Sequence, residues 1–333
     1  MNSMEKVTIK DVARESGVST ATVSRVLNNT GYVSDEIKDR VLNVIKKLNY
    51  QPNAVARSLK QSKTNTIGVI IPDISNPYFM KIAKGIEDQT WDAGYNLFFS
   101  SSDGKVEKEN ELLKLLVEKR VDAIVLGTAG SENVLANQIN SSGTPVILVD
   151  RRFNEKLSDL DLIEEDNVEG AYLLTERLIQ KGHTKIGAIV GSLHVSTGSD
   201  RFIGFKRAIT DYDIPFDDKN IYCGDFTGIS GQNAADYFLG LEESPKAIIS
   251  FNNLMTYGFI CRLFQKGFKV PRDFDVASYG ETDVEILLDP PGIVSITQDP
   301  YNIGTKVGNV LLKRLVLGES GPFNEKIKPK INY

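Results

Sequence analysis

The stretch Val7–Leu27, VTIKDVARESGVSTATVSRVL, decides how the rest of the chain is read. It encodes two short helices around a tight turn. Thr8 stands where the first helix, Ile9–Glu15, needs an N-cap, because a hydroxyl there satisfies an amide of the first turn. Ile9, Val12 and Ala13 recur at the i, i+3, i+4 spacing that buries one helix face. Gly17 supplies the left-handed residue that ends a helix. Ser19 caps a second helix that buries Val23, Val26 and Leu27 and turns Thr20, Ala21, Thr22, Ser24 and Arg25 outward. Small hydroxylated residues and one Arg at a helix N-terminus suit a major groove, where the helix must come close to base edges. A plain helical hairpin in a larger bundle has the same local pattern, so the flanking chain has to choose between them.

The segment that follows is NNTGYVS, a turn. Ser34 then caps a third helix, Asp35–Leu48, with acids in its first turn and Lys46 and Lys47 in its last, as the helix dipole favours. Val41, Val44, Ile45 and Leu48 give that helix an apolar face able to close a three-helix unit. Pro52 in YQPN breaks the helix. A short amphipathic piece, Ala54–Leu59, precedes the polar run KQSKTNT, which reads as a domain boundary. Residues 1–63 carry 11 Lys/Arg against 6 Asp/Glu, a net +5, and the remainder carries 28 against 38, a net −10. A basic head on an acidic body is the electrostatic footprint of a nucleic-acid-binding head.

At 333 residues the chain has room for two or three units. Its 41% hydrophobic and 25% charged content is ordinary for a globular protein. No apolar run approaches the length of a membrane span, and MNSMEKVTIK lacks a signal core. The two cysteines, Cys223 and Cys261, form no CxxC and no disulfide framework, so a cytoplasmic location is expected. From Thr66 the texture changes. Strand-like runs recur as TIGVIIP, NLFFSS, DAIVLG, PVILVD, KIGAIVG, KAIISF, DVASYG and VSIT. Helical patterns lie between and after them, at approximately 78–93, 106–120, 131–141, 167–182, 199–212, 229–240, 254–267 and 301–317. Such alternation means α/β architecture with parallel sheets, and the length calls for two lobes. A ligand cleft is expected at the carboxyl ends of the strands, where Pro72-Asp73, Ser100-Ser101, Asp150-Arg151 and Asn252-Asn253 stand. An enzyme is not expected. The chain has no GxSxG, HExxH, P-loop or dinucleotide fingerprint, and His183 and His194 lack metal-ligand spacing to either cysteine. No metal or cofactor is expected.

Taken in order, these residues resemble the LacI/GalR family of bacterial transcriptional regulators along nearly the whole chain. The resemblance rests on IKDVARESGVSTATVSRVLN, LNYQPNAVARSLK, IGVIIPDISNPYF, DAIVLG, PVILVDRR, DNVEGA, KGHTKIG and RFIGF. It implies a helix-turn-helix head with a hinge helix in residues 1–63 and a two-lobed effector-binding and dimerisation body in residues 64–333, similar to periplasmic sugar-binding proteins. Lobe 1 is expected at approximately 64–161 plus 293–320, and lobe 2 at approximately 162–292 plus 321–333. The resemblance also implies a homodimeric repressor of carbohydrate-utilisation genes on a near-palindromic double-stranded operator. By position, Thr20, Ala21 and Arg25 match base-reading residues, and Thr8, Ser19, Thr22, Ser24, Asn28 and Tyr32 match DNA-binding residues that fix register. Asn53, Ala56 and Leu59 match the hinge helix, with Leu59 wedged between base pairs in the minor groove.

The same resemblance assigns the effector site to Asn76, Tyr78, Phe79, Asp150, Arg151, Thr197, Arg201, Phe226, Asn252 and Gln298. Aromatic faces and dense donors and acceptors are the groups a polyol needs. Arg151 and Arg201 each demand an anionic partner near a cleft. Two positions depart from the family pattern: Gly280 in ASYGETD and Asn253 in FNNLM stand where an Asp is common. Fewer acids beside two arginines point to an acidic ligand, a sugar acid or sugar phosphate, unless Glu281 or Asp283 supplies the missing carboxylate. With no leucine heptad, a dimer is expected. The competing reading is a regulator whose corepressor is a phosphorylated phosphocarrier protein.

Overall fold

The computed structural model describes residues 7–51, 63–154, 159–288, 290 and 292–332, and divides into two units, Met1–Thr64 and Asn65–Tyr333. The division falls one residue beyond the expected boundary. The first unit holds helices α1 (Ile9–Ser16), α2 (Thr20–Asn28) and α3 (Asp35–Lys47). Val12, Ala13, Val23, Val26 and Val41 form its core. Gly17 has φ 65°, and its N–H closes on the carbonyls of Ala13 and Arg14, a geometry most side chains resist. Ser19 Oγ accepts the Thr22 N–H at 3.1 Å. The two other expected caps act differently. Thr8 donates its N–H and its hydroxyl to Asp11 Oδ2, at 3.0 and 2.7 Å. Ser34 holds the N-cap position of α3 without a side-chain cap hydrogen bond, leaving Asp35 and Glu36 to answer the helix dipole.

The second unit contains β1 (Thr66–Ile71), α4 (Pro77–Thr90), β2 (Asn96–Ser101), α5 (Val106–Glu118), β3 (Ala123–Leu126), α6 (Val134–Ser141), β4 (Val146–Val149) and β5 (Asp161–Glu165). It continues through α7 (Asn167–Gln180), β6 (Ile186–Val190), α8 (Ser196–Asp211), β7 (Ile221–Cys223), α9 (Gly228–Leu239), β8 (Ala247–Ser250), α10 (Asn253–Gln265) and β9 (Asp275–Ser278). Then come β10 (Val294–Thr297), α11 (Pro300–Leu312), β11 (Asn324–Ile327) and β12 (Lys330–Asn332). Two six-stranded sheets result, in the orders β11-β5-β4-β3-β1-β2 and β12-β10-β9-β8-β6-β7. Every pairing is parallel except β10 with β12. Strands β3, β4, β6 and β8 are buried at every position, because helices cover both faces of a parallel sheet and make continuous Val/Ile/Leu runs the stable choice.

All eight strand-like runs of the sequence are strands; β5, β7, β11 and β12 were not expected. Two of these correct the lobe limits. Strands β5 and β11 belong to the first sheet, and β10 belongs to the second. The chain therefore crosses between lobes at Glu165–Asn167, Thr297–Pro300 and Ile327–Lys330, a few residues later each time than the expected 161/162, 292/293 and 320/321. The physical reason is charge. Strand β5 reads DLIEE, which lacks an apolar pattern, yet Asp161, Glu164 and Glu165 are all buried. Each carboxylate has a partner distant in sequence: Arg314 for Asp161, Arg152 for Glu164 and Gln298 for Glu165.

Asp161 fixes the edge of the first sheet. It is 1% exposed, takes the Arg314 guanidinium at 2.8 and 2.9 Å, and accepts the Phe323 N–H at 2.7 Å just before β11. Removing one partner of a buried pair costs roughly 3 kcal/mol or more, because the other charge is stranded. Arg314→Met should therefore lower the thermal unfolding midpoint sharply. The double variant Arg314→Met/Asp161→Asn should recover most of the loss, since a neutral Asn still accepts the Phe323 N–H. Equal midpoints for the single and double variants would refute this account.

Candidate functional site

The outward face of α2 is set by its buried stripe. With Val23 and Val26 in the core, Thr20, Ala21, Arg25 and Asn28 are exposed, and Tyr32 beyond the helix is 92% exposed. Thr22 and Ser24, expected to face outward, sit on the shoulders of the stripe and are half-buried. Thr22 Oγ1 lies 3.0 Å from Ser19 Oγ, and Ser24 accepts the Asn28 amide at its carbonyl (2.9 Å) and its Oγ (3.2 Å). These hydroxyls hold the helix as well as flanking its exposed face. Asn53, Ala56 and Leu59 lie outside the described residues.

In the second unit, a cleft of about 530 Å³ opens between the two sheets at the carboxyl ends of their strands. All ten residues assigned from the sequence line it. Asn76, Tyr78 and Phe79 begin α4, and Asp150 and Arg151 follow β4. Thr197 and Arg201 occupy the first turns of α8, Phe226 precedes α9, Asn252 caps α10, and Gln298 stands at the second chain crossing. Asn253 and Asn76 exchange amide hydrogen bonds across the lobes at 3.3 and 3.4 Å. Phe79 serves two roles, packing into the first lobe's core at 4% exposure while also lining the cleft. Asp150 and Phe226 are held at φ 67° and 70°, strained conformations of the kind that persist at ligand sites.

The floor is built around two buried guanidiniums. Arg201 donates from Nε to Asn167 Oδ1 at 2.7 Å and from Nη1 to the Phe251 carbonyl, and its Cζ lies 3.6 Å from the centroid of the Tyr279 ring. Among the described residues it forms no ion pair. Arg151 donates to the Thr128 carbonyl at 3.1 Å and has the Asp150 carboxylate 3.7 Å from its Nε, which makes no hydrogen bond. Burial lowers the Arg151 pKa, Asp150 opposes that, and the Arg201 charge adds to it. Thr197 Oγ1 is buried without a hydrogen-bond partner among the described residues. Tyr78 donates its hydroxyl to Asp150 at 2.9 Å, and burial followed by the Asp150 charge pushes its pKa far up. Asp73, Asp103 and Asp225 also line the cleft, and each is already engaged with neighbouring hydroxyl, amide or ammonium groups.

The missing acid at Gly280 has a steric cause. Gly280 has φ +96°, and a Cβ there would lie 2.6 Å from Gln298 Oε1. Gln298 thus fills the space that a side chain at position 280 would need. Neither Glu281 nor Asp283 replaces the acid: neither lines the cleft, and Glu281 instead accepts the Thr297 hydroxyl at 3.2 Å. The carboxylate behind the site is Glu165, hydrogen-bonded to the Gln298 amide. Burial pushes its pKa up to about 7. Sequence reasoning missed Glu165, along with Glu109 and Asn167. Buried Glu109 accepts from the Asn133 amide at 2.7 Å, the Thr128 hydroxyl at 3.2 Å and the Ala129 N–H, shaping the loop that holds Arg151. On α5, VEKENELLKLLVE, it reads as one more surface acid.

Residues 8–53 match the model for bacterial regulatory proteins of the lacI family, and residues 64–302 match that for periplasmic binding proteins and the sugar binding domain of the LacI family. Among similar proteins, the HTH-type transcriptional repressor PurR of Aliivibrio fischeri is 36% identical over 311 residues, 92% of this chain and 91% of that one. PurR of Aliivibrio salmonicida is 34% identical over 309 residues, 92% of each chain. The lac repressor dimer bound to operator and the anti-inducer ONPF has the same fold, with a TM-score of 0.84 at 24% identity over 99% of this chain and 98% of that one. The transcription regulator CcpA of Lactococcus lactis gives 0.72 at 27% identity over 80% of this chain and 97% of its own.

Glu165 makes stability depend on pH. The folded chain keeps its proton up to about pH 7, whereas the unfolded chain releases it near the ordinary 4.5. Its contribution is therefore whole below pH 4.5 and drains away as pH rises through 7. Glu165→Gln keeps an acceptor for Gln298 and removes the titration. Its midpoint should gain on that of the unaltered chain between pH 5 and 7, by the equivalent of roughly 3 kcal/mol above pH 7. Parallel midpoints across that range, read by circular dichroism, would exclude the effect.

Proposed function

Because this chain belongs to the LacI family of bacterial regulatory proteins, as a DNA-binding transcriptional repressor with a ligand-binding body, we propose a sugar acid as its effector. The observation behind this reading is Arg201, a buried guanidinium with carbonyl and ring partners but no ion pair among the described residues. A buried charge is stable when it is paired, and a ligand carboxylate would complete the set. The vacant bonding capacity at Thr197 Oγ1 and Arg151 Nε suits ligand oxygens. Asn252, Gln298 and Asp150 supply the alternating donors and acceptors that ring hydroxyls require, and Phe226 and Tyr78 offer apolar faces. The acids Asp73, Asp103 and Asp225 favour a monoanion over a doubly charged phosphate.

The regulatory reading is a homodimer whose two heads read a near-palindromic operator. Ligand that prefers one arrangement of the lobes must change operator affinity by the same coupling factor with which operator changes ligand affinity. Thr20, Ala21 and Arg25 are the proposed base readers, and the head's net positive charge supplies a salt-dependent, sequence-independent share of binding.

A thermal-shift screen of the full chain with D-glucuronate, D-gluconate, neutral hexoses, sugar phosphates and, because of the relatives called PurR, a purine base tests the ligand class. Sugar acids should raise the midpoint by mass action, and Arg201→Lys should abolish the shift. A response confined to neutral sugars or to the purine would sink the sugar-acid reading. On an operator selected by the protein from random DNA, Arg25→Ala should cost at least tenfold in affinity, in line with about 1–3 kcal/mol per base contact. Ligand affinity should stay constant in the same variant; parallel loss of both would contradict separate modules.

A further inference from the structure

Beside the cleft, Arg152 joins the two lobes through three bonds and is braced within its own lobe by a fourth. Its Nη1 and Nη2 grip both oxygens of Asp200 at 2.6 and 2.8 Å, and Nη1 also lies 3.0 Å from Glu164 Oε2. Its backbone N–H donates to Ser196 Oγ at 2.9 Å. Arg152 follows β4 and Glu164 lies on β5, both in the first lobe, while Ser196 and Asp200 belong to α8 in the second. Asp200 and Glu164 are 5% and 4% exposed.

We propose that Arg152 is a positioning residue, a clamp between the lobes that holds Arg151 and Arg201 at the separation an anionic ligand requires. The placement is direct. Arg151 and Arg152 are consecutive, as are Asp200 and Arg201, and consecutive Cα atoms lie about 3.8 Å apart. Any slip of Arg152 along Asp200 therefore shifts one cleft guanidinium against the other. Both cleft arginines repel, so something outside the cleft must set their spacing. The clamp does so because two buried carboxylates share one guanidinium. Parting the lobes would leave Asp200 without its cation, an outcome that low-dielectric surroundings penalise heavily. Only a planar fork can serve Asp200 bidentately while keeping a hydrogen bond to Glu164; a lysine ammonium cannot. Asp200 holds the Arg152 guanidinium well above its usual pKa, so the clamp stays charged at every working pH.

The ligand half of this proposal rests on the sugar-acid reading, so the test has a readout that needs no ligand. Hydrogen exchange followed by mass spectrometry on the full chain compares Asp200→Asn with the unaltered protein. Peptides covering 150–154 and 194–203 should exchange at least tenfold faster in the variant, while those covering β1 and β8 keep their rates. Calorimetry with D-glucuronate and D-gluconate should show at least tenfold weaker binding in the variant. Arg152→Lys, which keeps the charge, should fall between the two in both measurements, and it carries the test should Asp200→Asn not fold. Unchanged exchange at 150–154 and 194–203 overturns the clamp. A lower unfolding midpoint with sugar-acid affinity unaltered overturns the positioning role. If the unaltered chain binds neither acid, the ligand class fails, and the exchange rates still decide whether the clamp exists.

Discussion

Burying a guanidinium is the constraint around which the second unit is arranged. Water is removed from Arg151 and Arg201, and the protein returns only part of what water gave. Arg201 receives two carbonyl oxygens and a tyrosine face, and Arg151 receives one carbonyl and a carboxylate at 3.7 Å. The surrounding architecture follows from that partial compensation. Asn167 has to begin α7 where its amide oxygen meets Arg201. Glu109 has to be buried under the 128–130 loop so that the Thr128 carbonyl meets Arg151. The remaining capacity is left facing the cleft, which is how a stable fold comes to favour a ligand.

The same chemistry governs the junction of the lobes. Strand β5 carries three buried carboxylates, and their partners lie on three other parts of the chain. Arg314 fastens the edge strand β11, Gln298 ties the first crossing to the second, and Arg152 reaches the other lobe. Polar pairs of this kind add little stability beyond what apolar residues of equal volume would give, but they admit few alternative arrangements. A junction held by directional bonds suits a protein whose two lobes must adopt defined relative positions. Glu165, with its pKa raised into the neutral range by burial, sits at the centre of that junction.

In the head the controlling interaction is smaller. A core of four valines and one alanine is enough to present α2, and the hydroxyls of Ser19, Thr22 and Ser24 are partly engaged in holding that helix. The exposed residues of α2 are few. One head of this kind has limited sequence information, so a single head distinguishes few base pairs.

The sequence alone determined what depends on local pattern. Helical spacing with Gly17 and Ser19 defined the turn of the head, and consecutive Val and Ile runs defined eight strands. Polar residues after those runs located the cleft, since strand ends in a parallel sheet converge on it, and family motifs picked out ten residues that do line one cavity. The tertiary structure decided what depends on partners far apart in the chain. DLIEE is a buried strand only because Arg314, Arg152 and Gln298 meet it, so the lobe limits could not be read from hydrophobicity. Glu109 resembles any acid on an amphipathic helix until the fold closes over it. Gly280 reads as a lost acid in the sequence, whereas in space Gln298 fills its place and Glu165 stands behind. Charge compensation is a property of three-dimensional neighbours, and it was there that the fold, not the pattern, had the deciding role.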